Sequence, residues 1–367
     1  MDYISILIHK YPFSVIFFSF FVGWYIMPYI LKISKKKNMI VHPNHRTSHE
    51  GDIPNVGGIC TVSAFLITFL VSNLFFDFKI STYLFLAGLY IIFLVGFFDD
   101  ILEFTPMQKI NGELLAAFIL IVLANVRFTN LYGIFGIYEL NGLWGGILSY
   151  GISFFAFLLI LNAINLIDGV DGLATGIGIE ACLFLALYFQ MTGNICESVI
   201  AYLTIGSLAI FFIYNVFGNK SKIFMGDSGS LAIGYVIYML ICRFCEEGTS
   251  IAAPAISIGI LAVPLFDVIR VIITRLKQHR PPFEADRNHV HHLLLSLGMK
   301  HRNVTFVLIA VNTTFILFSV IFRHWSNLLI IGTSAAMAIC YTMFLWRIVV
   351  KHQNKQTINS DKNEKQD

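Results

Sequence analysis

The sequence predicts an all-α polytopic integral membrane protein with about eleven transmembrane helices. Only 13% of its 367 residues are charged, too few to coat a soluble fold of this length. Aromatic residues reach 15%, among them 35 phenylalanines. Apolar runs close to the roughly 20 residues that cross hydrocarbon recur along almost the whole chain.

The runs are 13–31, 57–76, 80–98, 112–127, 147–163, 173–191, 198–217, 229–245, 251–274, 304–322 and 327–346. Glycines and polar residues interrupt the region around the fourth and fifth. The first is too long for the apolar part of a secretory signal and ends in "KISKKK", so it is expected to persist as a helix. One multi-span domain is expected over 1–350. The tail 351–367, "KHQNKQTINSDKNEKQD", lacks apolar periodicity and is expected to be disordered.

Orientation follows from lysine and arginine, which are in excess in cytoplasmic loops. Nineteen fall in the odd-numbered connections and the C-terminal end, against five on the opposite face (Lys10, Lys79, Arg127, Arg243, Arg323). The N-terminus is therefore expected outside and the C-terminus in the cytoplasm. A net charge of +3, dispersed over the chain, gives no reason to expect nucleic acid. Cys242 and Cys245 form a C-x-x-C without a second pair, which suits packing, or a redox pair, better than zinc.

Charged groups are unfavourable at membrane depth, by roughly 2.5–3.5 kcal/mol each on insertion scales. Here they gather at helix ends on one face. "GFFDDILEF" ends the third run, "NAINLIDGVDG" follows the fifth, "KIFMGDSGS" the seventh and "HRPPFEADRNHVHH" the ninth. All four fall on the side that the basic residues assign to the cytoplasm, which places one composite active site there.

Each motif has a chemical reading and a plainer one. Asp99 and Asp100 are adjacent, with Glu103 one turn beyond if the helix continues. Hard oxygens of this kind suit Mg²⁺ or Mn²⁺, or simply a solvated helix end. Asn162, Asn165 and Asp168 recur every three residues and cluster at a helix end, where Gly169 and Gly172 release the chain; capping and turning is the alternative. Asp227 lies between glycines, where backbone amides can approach an anion. Phe224 could stack on a nucleobase or anchor the chain at the membrane edge. Arg287, His289, His291 and His292 fit as donors to a diphosphate, or as a loop made basic for topology. His289 and His292 would share a helix face and His291 would not. Asp267 and Arg270 read as a structural i, i+3 ion pair. Residues 55–58, "NVGG", read as the start of a helix or part of a substrate cleft.

In this order the motifs resemble the polyprenyl-phosphate N-acetylhexosamine-1-phosphate transferases, over about residues 30 to 310. "PFEADRNHVHHLLLSLG" and "HPNHRTSHEGDIPNVGGI" are similar to the branch that transfers N-acetylglucosamine 1-phosphate, rather than the cell-wall branch that transfers a muramyl-pentapeptide. The resemblance implies transfer of a sugar 1-phosphate from a UDP-sugar to undecaprenyl phosphate, with release of UMP. That would be the initiating step of a lipid-linked surface polysaccharide at the bacterial cytoplasmic membrane.

By resemblance, Asp227 and Asn165 hold Mg²⁺ or Mn²⁺, and Asp99 and Asp100 position metal and acceptor, with Asp99 the candidate base. Asp168, Asp171, Phe224, Arg287, His289, His291 and His292 bind the nucleotide sugar. Glu103 and Asn162 are accessory; Glu103 stands where the branch often has a third aspartate. Expected partners are a UDP-N-acetylhexosamine, undecaprenyl phosphate and the bilayer, with a homodimer left open. A transporter would place its charges near the midplane in repeated halves. No internal repeat is apparent here.

Overall fold

The computed structural model of the chain describes residues 11–37, 40–41, 53–218, 221–247, 250–280 and 289–363. Helix α1 spans Ser14–Lys37, α2 Gly57–Ser72, α3 Ile80–Leu102 and α4 Pro106–Ala117, which runs on into a π-helical turn at Phe118–Leu123. Strands β1 (Ile40–Val41) and β2 (Ile53–Pro54) pair between α1 and α2, and β3 (Asn130–Ile134) and β4 (Ile137–Glu139) form a hairpin after α4. There follow α5 (Gly142–Ile167), α6 (Leu173–Thr192), α7 (Ile195–Phe217), α8 (Asp227–Glu246) and α9 (Ala253–Ile260). The chain ends with α10 (Ala262–Lys277), α11 (Val290–Ser296), α12 (His301–Ile321) and α13 (Asn327–Asn363).

Among the described residues nine helices are long and apolar enough to cross a membrane, and α9 with α10 makes a tenth if counted as one span. The expected polytopic helical class is therefore present, with three differences in detail. The second run yields only the 16 residues of α2, because the chain turns after Ser72, whose carbonyl accepts Phe75 and Phe76 N–H at 2.9 and 3.0 Å.

The ninth run is not a single straight helix. It breaks at Leu261, with α9 and α10 bent by 81°. Pro264 has no N–H to return to Ile260. Asn312 of α12 takes over, donating to Ile260 O at 2.9 Å and accepting Val263 N–H at 3.1 Å. Broken backbone at membrane depth persists where protein groups satisfy it in this way. Glu180 of α6 in turn accepts from Asn312 at 2.9 Å.

The third difference is the tail. Helix α13 continues through the expected disordered segment to Asn363. No glycine or proline follows Gly332, so nothing in the sequence stops a helix already nucleated in the last span.

Helix α8 is the centre of the bundle and packs against α3, α5, α6 and α2. Its Tyr235 and Tyr238 are fully buried, and Tyr235 donates to Phe85 O of α3 at 3.1 Å. Cys242 and Cys245 are buried free thiols in this core. At the periphery, α1 exposes Phe17, Phe21 and Trp24, and α13 exposes Phe344 and Trp346. In so apolar a chain this outward surface faces lipid. The packing sets the C-terminal ends of α3 and α5 beside the N-terminus of α8, and there the polar motifs meet.

Candidate active site

The site begins with a tight reversal after α3. Glu103 caps that helix in the left-handed conformation, φ 51°, with its N–H on Asp99 O at 2.9 Å. Thr105 and Gln108 then form a capping box, Thr105 N–H donating to Gln108 Oε1 at 2.9 Å, with Pro106 opening α4. The reversal returns Lys109 over Asp99. Its ammonium lies 3.2 Å from Asp99 Oδ2 and forms a second ion pair with Asp227 Oδ2. Glu103 is exposed, and α3 stops before the turn that would align it with Asp99.

Asp227 opens α8 after Gly226, whose φ of 73° is a conformation that favours glycine. A Cβ at Gly226 would meet Asp100 Oδ2 at 2.5 Å. Asp100 lies that close because it caps α8. It accepts Asp227 N–H at 2.9 Å, Ser228 N–H at 3.1 Å and Asn55 Nδ2 at 3.0 Å. The glycine turn does hold an anion at the positive end of a helix, as its composition suggested, but the anion is the chain's own Asp100. Asp100, expected to position metal and acceptor, here has its two oxygens on the start of α8 and on Asn55. The "NVGG" stretch forms the adjoining wall. Phe224 N–H donates to Pro54 O at 2.8 Å, and Gly57 and Gly58 N–H donate to Phe224 O and Met225 O at 2.8 and 2.9 Å.

From α5, Asn165 Nδ2 donates to Asp227 Oδ1 at 2.9 Å and to Ser230 Oγ at 2.8 Å. Asn162, one turn deeper, donates instead to Glu113 Oε2 at 3.1 Å and Leu158 O at 2.9 Å. Asp168 is the last residue before the turn. Burial, with Asp227, Asp100 and Asp171 nearby, raises its carboxyl well above the ordinary range. Asp171 pairs with Lys222 at 2.7 Å, and the same ammonium lies 5.6 Å from the centre of the Phe224 ring. Lys109 and Lys222, which the sequence suggested only as markers of topology, are therefore structural members of the site.

The histidines are arranged differently from the expected helical face. His289 precedes α11 in extended conformation, so helical spacing does not apply to it. Its ring lies parallel to that of His291, centroids 5.5 Å apart, and His291 lies 4.3 Å from His292. Asp267 fixes the run, taking His289 Nδ1 at 2.9 Å, Val290 N–H at 3.1 Å and Arg270 at 2.7 Å. Its i, i+3 pair with Arg270 is present as expected, but the contacts to His289 and Val290, more than twenty residues away, were not legible from spacing. A Cβ on Gly169 would lie 3.8 Å from His291 Nε2, so the histidine run borders the "LIDGVDG" turn. Burial and the neighbouring His292 lower the His291 pKa to about 3, leaving it neutral near pH 7. Arg287 lies outside the described residues, as do His42, His45 and His49.

The donor set fits a hard divalent cation. Asp99 and Asp227 already converge on one positive charge, the Lys109 ammonium, with Asn165 alongside. Among the described residues no three His, Cys, Asp or Glu side chains form a metal site by themselves. Mg²⁺ typically takes one or two carboxylates and completes its shell with water and substrate phosphates.

Residues 82–244 match the model of glycosyl transferase family 4. They include every site residue above from Asp99 to Asp227. The chain is 30% identical over 282 residues to the undecaprenyl-phosphate alpha-N-acetylglucosaminyl 1-phosphate transferase of Escherichia coli O157:H7, covering 76% of this chain and 74% of that protein. The protein of the same name from Yersinia pestis is 29% identical over 280 residues, 76% of this chain and 75% of its own length. A Bacillus subtilis (strain 168) protein named "probable undecaprenyl-phosphate N-acetylglucosaminyl 1-phosphate transferase" is 29% identical over 311 residues, 83% of this chain and 84% of its own.

Proposed function

The chain belongs to glycosyl transferase family 4, and from that premise we propose that it transfers N-acetylglucosamine 1-phosphate from UDP-N-acetylglucosamine to undecaprenyl phosphate. The observation that carries this reading is the convergence of Asp99, Asp227, Asn165 and Lys109 at the end of an apolar bundle, with the histidine run beside the "LIDGVDG" turn. Such a place is open to a lipid tail from the bilayer and to a nucleotide from water. The face is read as cytoplasmic, and the membrane as the bacterial cytoplasmic membrane.

In the reaction an oxygen of the acceptor phosphate attacks the β-phosphorus of the UDP-sugar. The bond from that phosphorus to the bridging oxygen breaks, and UMP leaves with the electron pair. The acceptor is already ionised near neutral pH, so no strong base is required. Positioning and charge neutralisation carry most of such a transfer. A Mg²⁺ or Mn²⁺ held by Asp227 and Asn165, with Asp99, would offset charge developing on the diphosphate. Asp99 orients the phosphates around that position. Asp168 and Asp171 hold the nucleotide sugar, with Phe224 against the uracil. His289, His291 and His292, with Arg287, grip the diphosphate.

Purified protein supplied with Mg²⁺ or Mn²⁺, undecaprenyl phosphate and a panel of labelled UDP-N-acetylhexosamines tests the reading. Lipid-linked label from UDP-N-acetylglucosamine is expected. Label from a different sugar alone would overturn the choice of sugar, and no label from any would overturn the activity.

A further inference from the structure

Glu113 sits inside α4, one helical turn beyond Lys109, and none of its surface is exposed. Its Oε2 accepts from Asn162, while its Oε1 is buried without a hydrogen-bond partner. A buried carboxylate oxygen left unsatisfied is unfavourable, so the arrangement calls for a use. Positions four apart on a helix present their side chains to each other. Lys109 attracts the Glu113 charge, whereas Asp227 and Asp99 repel it.

Lys109 occupies the two carboxylates that the proposed cation needs. A divalent cation on those carboxylates would repel the ammonium beside it, which favours departure of the ammonium when the ion arrives. Stranding it unpaired in a half-buried site would be strongly unfavourable.

We infer that Glu113 is the second partner of Lys109: the ammonium lies between Asp99 and Asp227 when the site holds no cation and moves to Glu113 Oε1 when a divalent cation binds. Asn162 keeps the other Glu113 oxygen fixed, so the acceptor is already in place. Glu113 is a positioning residue, and no covalent bond changes in the exchange. The inference rests on the reading that Asp227 and Asp99 hold a divalent cation.

Mn²⁺ binding to the purified full chain, followed by the EPR signal of the free ion without substrate, tests this in a double-mutant cycle. Glu113→Gln keeps the volume and an oxygen for Asn162 but removes the charge. It is expected to weaken Mn²⁺ binding about 10-fold, the scale of a typical coupling between sites. Lys109→Met removes the competing cation and is expected to tighten binding, and in that background Glu113→Gln should have no effect. A loss of equal size in both backgrounds would mean that Glu113 acts only through its field, overturning the exchange, as would no loss in either. Failure of the wild-type chain and every variant to bind Mn²⁺ would overturn the metal reading and the exchange with it. Amine labelling of the wild-type chain, read by mass spectrometry, adds a check that needs no variant. Lys109 should stay protected after Mn²⁺ is added, and a newly reactive Lys109 would contradict its capture by Glu113.

Discussion

The carboxylate of Asp100 accepts the backbone N–H of Asp227 at 2.9 Å, so one aspartate of the sequence pair positions the other motif's aspartate. Adjacent residues thereby divide the work. Asp99 pairs with Lys109, while Asp100 ties the end of α3 to the start of α8.

This division predicts opposite phenotypes. Asp100→Ala removes the acceptor for two backbone amides and Asn55 and should lower stability by roughly 1–3 kcal/mol. Thermal unfolding of the detergent-solubilised protein would show it. Mn²⁺ affinity should fall far less than in Asp227→Asn. Equal loss of metal binding in both variants would return Asp100 to the metal.

Asp227→Asn keeps the helix start but removes a charge on which Lys109, Asn165 and the proposed cation converge. Turnover should fall on the order of 100-fold or more, the scale seen when one preorganised electrostatic group is lost. Steady-state assay of lipid-linked product checks this, with a thermal melt to establish folding. Near wild-type turnover would remove Asp227 from the catalytic centre.

Asp267 holds the His289 ring and the Val290 N–H, so its effect on substrate is expected to run through His289. Asp267→Asn should therefore raise KM for the UDP-sugar, by about 10-fold if it behaves like other orienting partners of a ligand side chain, with a smaller change in kcat. A kcat defect at unchanged KM would contradict this positioning role.

His291 carries a pH signature. Its folded pKa of about 3 lies below the ordinary 6.5, so the unfolded chain takes up the proton first as pH falls. Its contribution to stability is complete above 6.5 and is lost progressively as pH falls toward 3. Unfolding measured across that window should show a shallower acid slope in His291→Gln than in the wild type. Identical slopes would mean that His291 takes up its proton in the folded chain as readily as in the unfolded one.

Much of this was legible in the sequence. The eleven apolar runs all fall on helices or a helix pair, because their length and composition decide that alone. The break at Leu261 was not, since Pro264 marks it only once Asn312, nearly fifty residues on, is known to satisfy the freed backbone. Among site residues, Asn165 and Asp227 were identified and lie in contact. Lys109 was hidden by its likeness to an ordinary loop lysine, although the preceding "TPMQ" carries the pattern of a capping box that turns the chain back on Asp99. Glu103 would align with Asp99 only if the helix continued, and α3 ends at Leu102. His289 was assigned to a helix that begins only after it.

The central claim is that the phosphate carried by the sugar moves with it. UDP-N-acetylglucosamine labelled with ³²P at the β-phosphorus, incubated with the protein and undecaprenyl phosphate, tests this directly. The account predicts that the label enters the lipid fraction with release of unlabelled UMP in equal amount. Labelled UDP released beside a lipid that carries the sugar without the label would contradict it.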